Sequence, residues 1–190
     1  KINFFFLIIP NIRNHMYWNN KYVYPKSSRS IFQGSRHYAV NHENLPSVTT
    51  ILKATESEEK KTKLEQWKKK VGYKAAEVIS REATNRGSSM HDFLEKFLLG
   101  KLNLDLLGDN TRERMMANQI IENGLRNKLS EIWGCEATLY YPGKYAGAAD
   151  CIGIYENKET IIDFKQSNKP KKAEYIDSWL LQTSAYSLAH

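Results

Sequence analysis

The sequence predicts an α/β fold, in which a meander of three antiparallel strands is flanked by helices. Two observations predict it. In the second half of the chain, strand-like segments follow one another across short turns at 135–141, 145–156 and 159–165. Apolar residues recur at helical spacing before these segments, over 111–132, and a helical pattern follows them over 173–190. The expected order of the core is therefore helix, three strands, helix.

The first half of the chain predicts a hairpin followed by helices. Within the polar, aromatic residues 16–42, the strands are expected at YVYP and RHYAV, with the turn at KSSRS. A proline and a serine stand before the apolar run of 45–55, which is typical of a helix start. A strongly charged helix is expected over 57–72, where Gly72 ends it.

Two further helices are expected next. The first covers roughly 74–84, and the second begins after a cap at Ser88 or Ser89 and is closed by Gly100. This second helix carries His91 among apolar residues.

Composition favours a nucleic-acid partner inside a reducing compartment. The formal net charge is +7, which favours a polyanion, with nucleic acid ahead of an acidic membrane surface. Two cysteines are too few for a disulfide framework or for a metal or iron–sulfur site with four cysteines.

The chain divides into three parts. Residues 1–15 contain an apolar run too short to span a membrane, and we expect an artefact or a disordered tail there, with a weak secretory signal as the alternative. Residues 16–110 form the N-terminal hairpin and helical region, and residues 111–190 form the core.

Charged residues meet at the end of the last predicted strand, TIIDFKQS. Alternation places Asp163 and Lys165 on one face. A two-residue turn at Glu156-Asn157 would set Asp150 opposite Asp163, and a turn at Asn157-Lys158 would set it opposite Lys165. Both registers bring the three side chains to one face.

Glu136 joins them if residues 142–144 form a three-residue loop, because Glu136 then lies opposite Asp150. Facing carboxylates repel each other on a sheet. A divalent cation between them would relieve the repulsion, and oxygen ligands suit Mg²⁺ or Mn²⁺. In isolation, Asp163 and Lys165 could instead be a strand-end ion pair.

These motifs resemble a known family. Asp150, followed thirteen residues later by Asp163-Phe164-Lys165, resembles the signature of PD-(D/E)XK nucleases. An upstream His91 and the pair Gln182 and Tyr186 make the chain similar to the RecB-type exonuclease branch, and within it to mitochondrial genome maintenance exonuclease-like proteins and their phage relatives. The resemblance covers roughly residues 38–190. The proline of the motif name is absent here.

The resemblance implies a restriction-endonuclease-like core and a set of residue roles. The implied ligands of Mg²⁺ (or Mn²⁺) are Asp150, Asp163, His91 and the Phe164 carbonyl. The implied catalytic residues are Lys165, Asp163, Asp150, Gln182 and Glu136. The implied contacts to substrate are Tyr186, Ser167, Arg86 and Lys169. An iron–sulfur cluster is not expected. The chain stops at the helix that bears Gln182, so the last core strand is expected to be missing.

The implied function is a metal-dependent DNA exonuclease that hydrolyses phosphodiester bonds on single-stranded DNA or DNA ends. We expect it in phage biology, repair or recombination, in the cytoplasm of a bacterial or phage-infected cell and without a membrane partner. A structure-specific endonuclease, an inactive nucleic-acid-binding module and a basic protein without a nucleic-acid partner are the alternatives. DNA and RNA are not distinguished by the sequence.

Overall fold

The structure is a computed structural model that describes residues 16–101, 111–167, 171 and 176–190. The strands are β1 (Tyr17–Trp18), β2 (Ser28–Phe32), β3 (Ser35–Val40), β4 (Glu43–Pro46), β5 (Leu129–Tyr141), β6 (Tyr145–Tyr155) and β7 (Lys158–Ile162). The α-helices are α1 (Val48–Ala54), α2 (Glu58–Val71), α3 (Tyr73–Leu98), α4 (Arg112–Ile120) and α5 (Asp177–Ala189). A π-helical turn, Ile121–Leu125, continues α4.

The strands form two sheets. The larger has the order β1-β5-β6-β7, with β1 parallel to β5 and the other neighbours antiparallel. The smaller is the antiparallel sheet β2-β3-β4. Tyr38, Val40 and Leu45 of the smaller sheet pack on Ala146 of β6, which joins the two sheets. The smaller sheet therefore stands over one end of β6.

The larger sheet has a hydrophobic core on each face. One contains Met90, Leu94 and Leu98 of α3 with residues of α4, β5 and β6. The other contains Val48 of α1 and Tyr186 of α5. The three layers are thus helices, sheet and helices, and the predicted α/β class is confirmed, with the predicted order of helix, three-strand meander and helix.

Serine caps define the first helices as the sequence predicts. Ser47 accepts a hydrogen bond from the Thr50 N–H at the start of α1, and Ser57 accepts one from Lys60 at the start of α2. Gly72 follows α2 with a φ of 88°, a conformation that glycine adopts without strain.

The prediction of two helices over 74–84 and from Ser88 or Ser89 onward is wrong. One helix of 26 residues, α3, runs through both serines. The polar, glycine-containing stretch 84–89 predicts a helix boundary, but packing of Met90, Leu94 and Leu98 in the core stabilises a continuous helix.

The predicted helix over 111–132 is too long. The helical segment ends at Leu125, and Leu129 and Ile132 belong to β5. Their spacing of three fits a helix by coincidence, because a register shift between Leu129 and Glu131 disturbs the alternation of β5. The last helix begins at Asp177, while residues 172–175 lie outside the described residues.

The N-terminal hairpin exists, but its first strand was placed wrongly. RHYAV lies in β3, whereas YVYP is not a strand, and part of KSSRS lies in β2. The turn is Gln33-Gly34, whose φ values of 48° and 74° fit a two-residue hairpin turn.

Candidate active site

The turns of the meander fix the register on which the site depends. Tyr155 pairs with Lys158, so the turn is Glu156-Asn157, and the alternative turn one residue later is wrong. Tyr141 pairs with Tyr145 across the predicted three-residue loop. Ala137 pairs with Ala149 and Cys135 with Cys151, which leaves Glu136 and Asp150 facing each other between the two pairs.

Asp150 holds the chain where β7 ends. The last ladder pair is Cys151 with Ile162. Beyond it, the Phe164 N–H donates to Oδ2 of Asp150 at 2.6 Å. The Phe164 ring is buried in the core beside α3. A side-chain carboxylate therefore replaces the next strand–strand hydrogen bond and positions the residues on either side of Phe164.

Three potential metal ligands meet at this point. His91, Glu136 and Asp150 each offer one ligand atom, and these atoms all lie within 4.8 Å of one another. Nδ1 of His91 is 3.2 Å from Oδ1 of Asp150, and this contact raises the pKa of His91. Imidazole and carboxylate are both common ligands of divalent cations.

Glu136 has an unusual backbone conformation that brings it to this cluster. Its φ is 48°, a left-handed value that is costly for a residue with a Cβ. Cys135 packs with the core of α3 and Ala137 with the opposite core, so the alternation of β5 breaks at Glu136. The walls around its carboxylate restrict hydration and, with the nearby charges of Asp150 and Glu95, raise its pKa. A cation would relieve this crowding of negative charge.

Asp163 is held by two neighbours from different elements. Its side chain is 4% exposed, and its Oδ2 forms an ion pair with Lys165 Nζ. Its Oδ1 accepts from Gln182 Nε2 at 2.9 Å. Burial raises the pKa of Asp163, while the charge of Lys165 opposes the rise. Asp163 thus links the end of β7 to α5.

Gln182 and Tyr186 are buried on the inner face of α5. Gln182 Nε2 lies 3.0 Å from the Tyr186 hydroxyl. The ring of Tyr186 lies directly over Gly147, where an added Cβ would stand 2.5 Å from Cε1 of Tyr186. The small residues before Asp150 therefore make room for Tyr186, which in turn contacts the amide that holds Asp163.

These side chains line one cleft of about 380 Å³ between α3, the two sheets and α5. Of the predicted site residues, it contains His91, Glu136, Asp150, Asp163, Lys165, Gln182 and Tyr186. Lys165 is 28% exposed and can reach a ligand in the cleft.

The other predicted residues lie elsewhere. Phe164 is buried, and its described contact with Asp150 is through its N–H. Arg86 donates from Nε to Gln166 Oε1 at 3.2 Å and does not line the cleft. Ser167 is exposed and does not line it either. Lys169 lies outside the described residues.

Sequence reasoning missed several cleft residues. Glu95 lies four residues after His91 on α3, a spacing that could have been used to find it. Arg29 and Arg36 come from the smaller sheet, and their placement required the hairpin turn at Gln33-Gly34 to be recognised.

The fold and the cleft together define an α/β protein with a candidate metal centre beside a buried Asp–Lys pair. The chain is similar to mitochondrial genome maintenance exonuclease 1 from Mus musculus, with 31% identity over 133 residues. The Homo sapiens protein of that name is 28% identical over 135 residues, and the Xenopus tropicalis protein 30% over 135 residues. Each match covers 67% of this chain but only 37–38% of the relative's length. No protein-family model matches the chain.

None of the described helices combines the length and the apolar character that crossing a membrane requires.

Proposed function

We propose that this protein is a metal-dependent DNA exonuclease that hydrolyses phosphodiester bonds on single-stranded DNA or at DNA ends. The observation that carries the proposal is the meeting of His91, Glu136 and Asp150 beside the Asp163–Lys165 pair in one cleft. The similarity to proteins named as exonucleases, over part of their length, supports it. Assignment to the PD-(D/E)XK superfamily and its RecB-type branch, phage relatives included, is part of the same proposal.

The residues present fit a divalent cation. His91, Glu136 and Asp150 would hold it, because their ligand atoms lie close together. Among the described residues, His91 is the only basic side chain that forms an ion pair with either carboxylate. Asp163 is the further acid that we assign to this centre, because it lines the same cleft and its charge contributes to the raised pKa of His91. Mg²⁺ or Mn²⁺ suits such a donor set, and it would polarise the phosphate and the attacking water.

The chain's own residues orient the reactants. Lys165 contacts Asp163 and faces the cleft, so its ammonium can hold the attacking water or balance negative charge on the phosphate. Gln182 fixes the Asp163 carboxylate, and Tyr186 fixes Gln182. Asp150 fixes the peptide between Asp163 and Lys165 through the Phe164 N–H. Each of these contacts keeps the Asp–Lys pair in one geometry.

The cellular assignment is a separate part of the proposal. We place the activity in repair, recombination or phage DNA processing, in the cytoplasm of a bacterial or phage-infected cell. The names of the curated relatives associate those proteins with mitochondrial genome maintenance. A fluorescent fusion expressed in the source cell, with a mitochondrial stain, would test the location.

The function is tested by incubating the protein with end-labelled linear and with closed circular single-stranded DNA, in Mg²⁺, Mn²⁺ or EDTA. A Lys165→Ala variant is tested beside it. We expect the native protein to degrade the linear DNA and not the circular DNA, and to do so only when metal is present. The Lys165→Ala variant should degrade neither. RNA of the same sequence serves as a second substrate.

Other outcomes separate the alternatives. Cutting of circles would replace the exonuclease by an endonuclease. Binding of DNA without cutting, by a folded protein in both metals, would indicate an inactive binding module. If the folded protein neither binds nor cuts DNA or RNA, the proposal that it acts on nucleic acid is wrong.

A further inference from the structure

The wall of the cleft opposite the acids is basic. Arg29 of β2 and Arg36 of β3 line the same cleft as Asp150 and Lys165, and both arginines are exposed. They belong to the smaller sheet, which packs on Ala146 of β6 in the larger sheet. The cleft therefore has an acidic floor and a basic wall that come from different sheets.

The strand register explains why both arginines face inward. Arg29 pairs with Tyr38 and Ile31 pairs with Arg36, and cross-strand partners share a face. Tyr38 is buried against the larger sheet, so this face is the one directed toward it. Ile31 lies between the arginines on that face and is 73% exposed. An exposed apolar side chain therefore lies next to both arginines on the face that they share.

Neither guanidinium has a hydrogen bond or an ion pair within the part of the chain that the structure describes. Arg29 is near enough to Glu136 for its charge to lower the pKa of that carboxyl, against the stronger effect of burial. The arginines are therefore close to the acids in electrostatic terms and still available to a ligand. A guanidinium binds phosphate through two parallel hydrogen bonds, which makes arginine suited to this ligand.

We propose that Arg29 and Arg36 bind backbone phosphates of a single nucleic-acid strand next to the phosphate that occupies the acidic cluster. This inference rests on the proposed function and adds a second contact to it. Ile31 lies against the sugar or base between those phosphates. The hairpin of β2 and β3 would then set the direction in which the strand leaves the cleft.

The test is the salt dependence of binding to a fluorescein-labelled thymidine oligonucleotide in EDTA, measured by fluorescence anisotropy. For the double variant Arg29→Gln/Arg36→Gln, the slope of log affinity against log salt should become shallower by about 1.4, since each single-strand phosphate contact contributes about 0.7. The matched control is Lys144→Gln/Lys158→Gln, which removes the same charge from exposed residues outside the cleft. It should keep the original slope.

An unchanged slope in the arginine variant, or an equal change in the control, would overturn the proposal. The variant Arg29→Lys/Arg36→Lys keeps the charge and should keep the slope. A loss of slope there would show that the shape of the hairpin matters and not its charge, which would also overturn the proposal.

A second substrate separates this inference from the nuclease proposal. Thymidine 5′-(p-nitrophenyl phosphate) has one phosphodiester, so it offers the arginines no neighbouring phosphate while its own phosphate occupies the acidic cluster. In Mn²⁺, the Arg29→Gln/Arg36→Gln change should slow hydrolysis of this ester far less than it slows cleavage of linear single-stranded DNA, and an equal loss for both substrates would count against the assignment. If the native protein hydrolyses neither this ester nor DNA, the nuclease proposal fails, while the salt slopes in EDTA still decide the role of the arginines.

Discussion

The backbone N–H of Phe164 donates a 2.6 Å hydrogen bond to the carboxylate of Asp150, one step beyond the last paired residues of β6 and β7. Phe164 is the central residue of the Asp-x-Lys motif, and Asp150 also contacts His91 of α3. One carboxylate therefore fixes the geometry of the motif and takes part in the candidate metal centre. Replacing Asp150 should therefore affect both the stability of the fold and the activity.

Replacement of Asp150 should weaken the fold by an amount that depends on the acceptor left behind. Asp150→Ala leaves the buried Phe164 N–H without its partner, which costs about 1–3 kcal/mol. Asp150→Asn keeps an oxygen in place and should cost less. Urea unfolding followed by circular dichroism measures both. Equal unfolding free energies for Asp150→Ala and the native protein would show that the hydrogen bond contributes nothing.

Glu136 should oppose stability until a cation is bound. The restricted hydration of its carboxylate and the charges of Asp150 and Glu95 raise its pKa, so ionisation of Glu136 costs the fold stability. Glu136→Gln should therefore raise the thermal midpoint in EDTA. In the native protein, Mn²⁺ at a hundredfold its Kd should add about 2.7 kcal/mol, and the variant should lose most of this gain.

The control for Glu136 is Glu77→Gln on an exposed position of α3. It makes the same change of charge outside the cleft and should leave both the midpoint in EDTA and the Mn²⁺ effect unaltered. A full Mn²⁺ effect in Glu136→Gln would remove Glu136 from the candidate centre.

Gly147→Ala should disturb the site without touching any charged residue. The added Cβ would stand 2.5 Å from Cε1 and 2.8 Å from Oη of Tyr186, so the ring must shift and its hydrogen bond with Gln182 is disturbed. Overpacking of this kind costs about 1–3 kcal/mol. Activity should fall with stability, because Gln182 holds Asp163.

Gly87→Ala is the matched control. Its Cβ would meet nothing closer than Gln166 Cγ at 3.8 Å, and alanine is favoured over glycine inside a helix by about 1 kcal/mol. The control should be as stable as the native protein or more so. A Gly147→Ala variant with native stability would contradict the packing of Tyr186 described here.

Glu131 should make stability depend on pH where β1 pairs with β5. Hydrogen bonds from Tyr17, Trp133 and Asn19 lower its pKa below the usual 4.5. Because the folded pKa is depressed, the stabilisation is complete above the unfolded value and is lost as pH falls through the lower folded value. In urea unfolding, the stability advantage of the native protein over Glu131→Gln should be constant from pH 7 to 6 and shrink below 4.5. A constant advantage down to pH 3 would contradict this.

Much of the core was predictable from local patterns. The Glu156-Asn157 turn and the three-residue loop at 142–144 set the register, and the register alone placed Asp150 beside Asp163 and Glu136 opposite Asp150. The caps at Ser47 and Ser57 are local as well. Turns and helix caps depend on residues that are close together in the chain, so a single sequence is enough to predict them.

The remaining features depend on contacts between distant segments. The continuity of α3 through Ser88 and Ser89 follows from tertiary packing, which overrides local propensity. The left-handed conformation of Glu136 follows from an irregularity of β5 that no turn signal announces. Arg29 and Arg36 reach the cleft only because a second sheet packs on β6. The local pattern predicts a turn at Arg29, whereas the structure has it in β2, paired with Tyr38 of β3.

The most direct test of the central claim is a single-turnover cleavage rate on linear single-stranded DNA for Lys165→Met beside Lys158→Met. Both variants remove one ammonium group and keep an unbranched side chain that is one atom shorter, but only Lys165 pairs with Asp163 in the cleft. The account predicts that Lys165→Met slows the metal-dependent reaction by about 10²-fold or more, while Lys158→Met cuts at the native rate. Equal rates for the two variants, or no cleavage by the native protein, would contradict it.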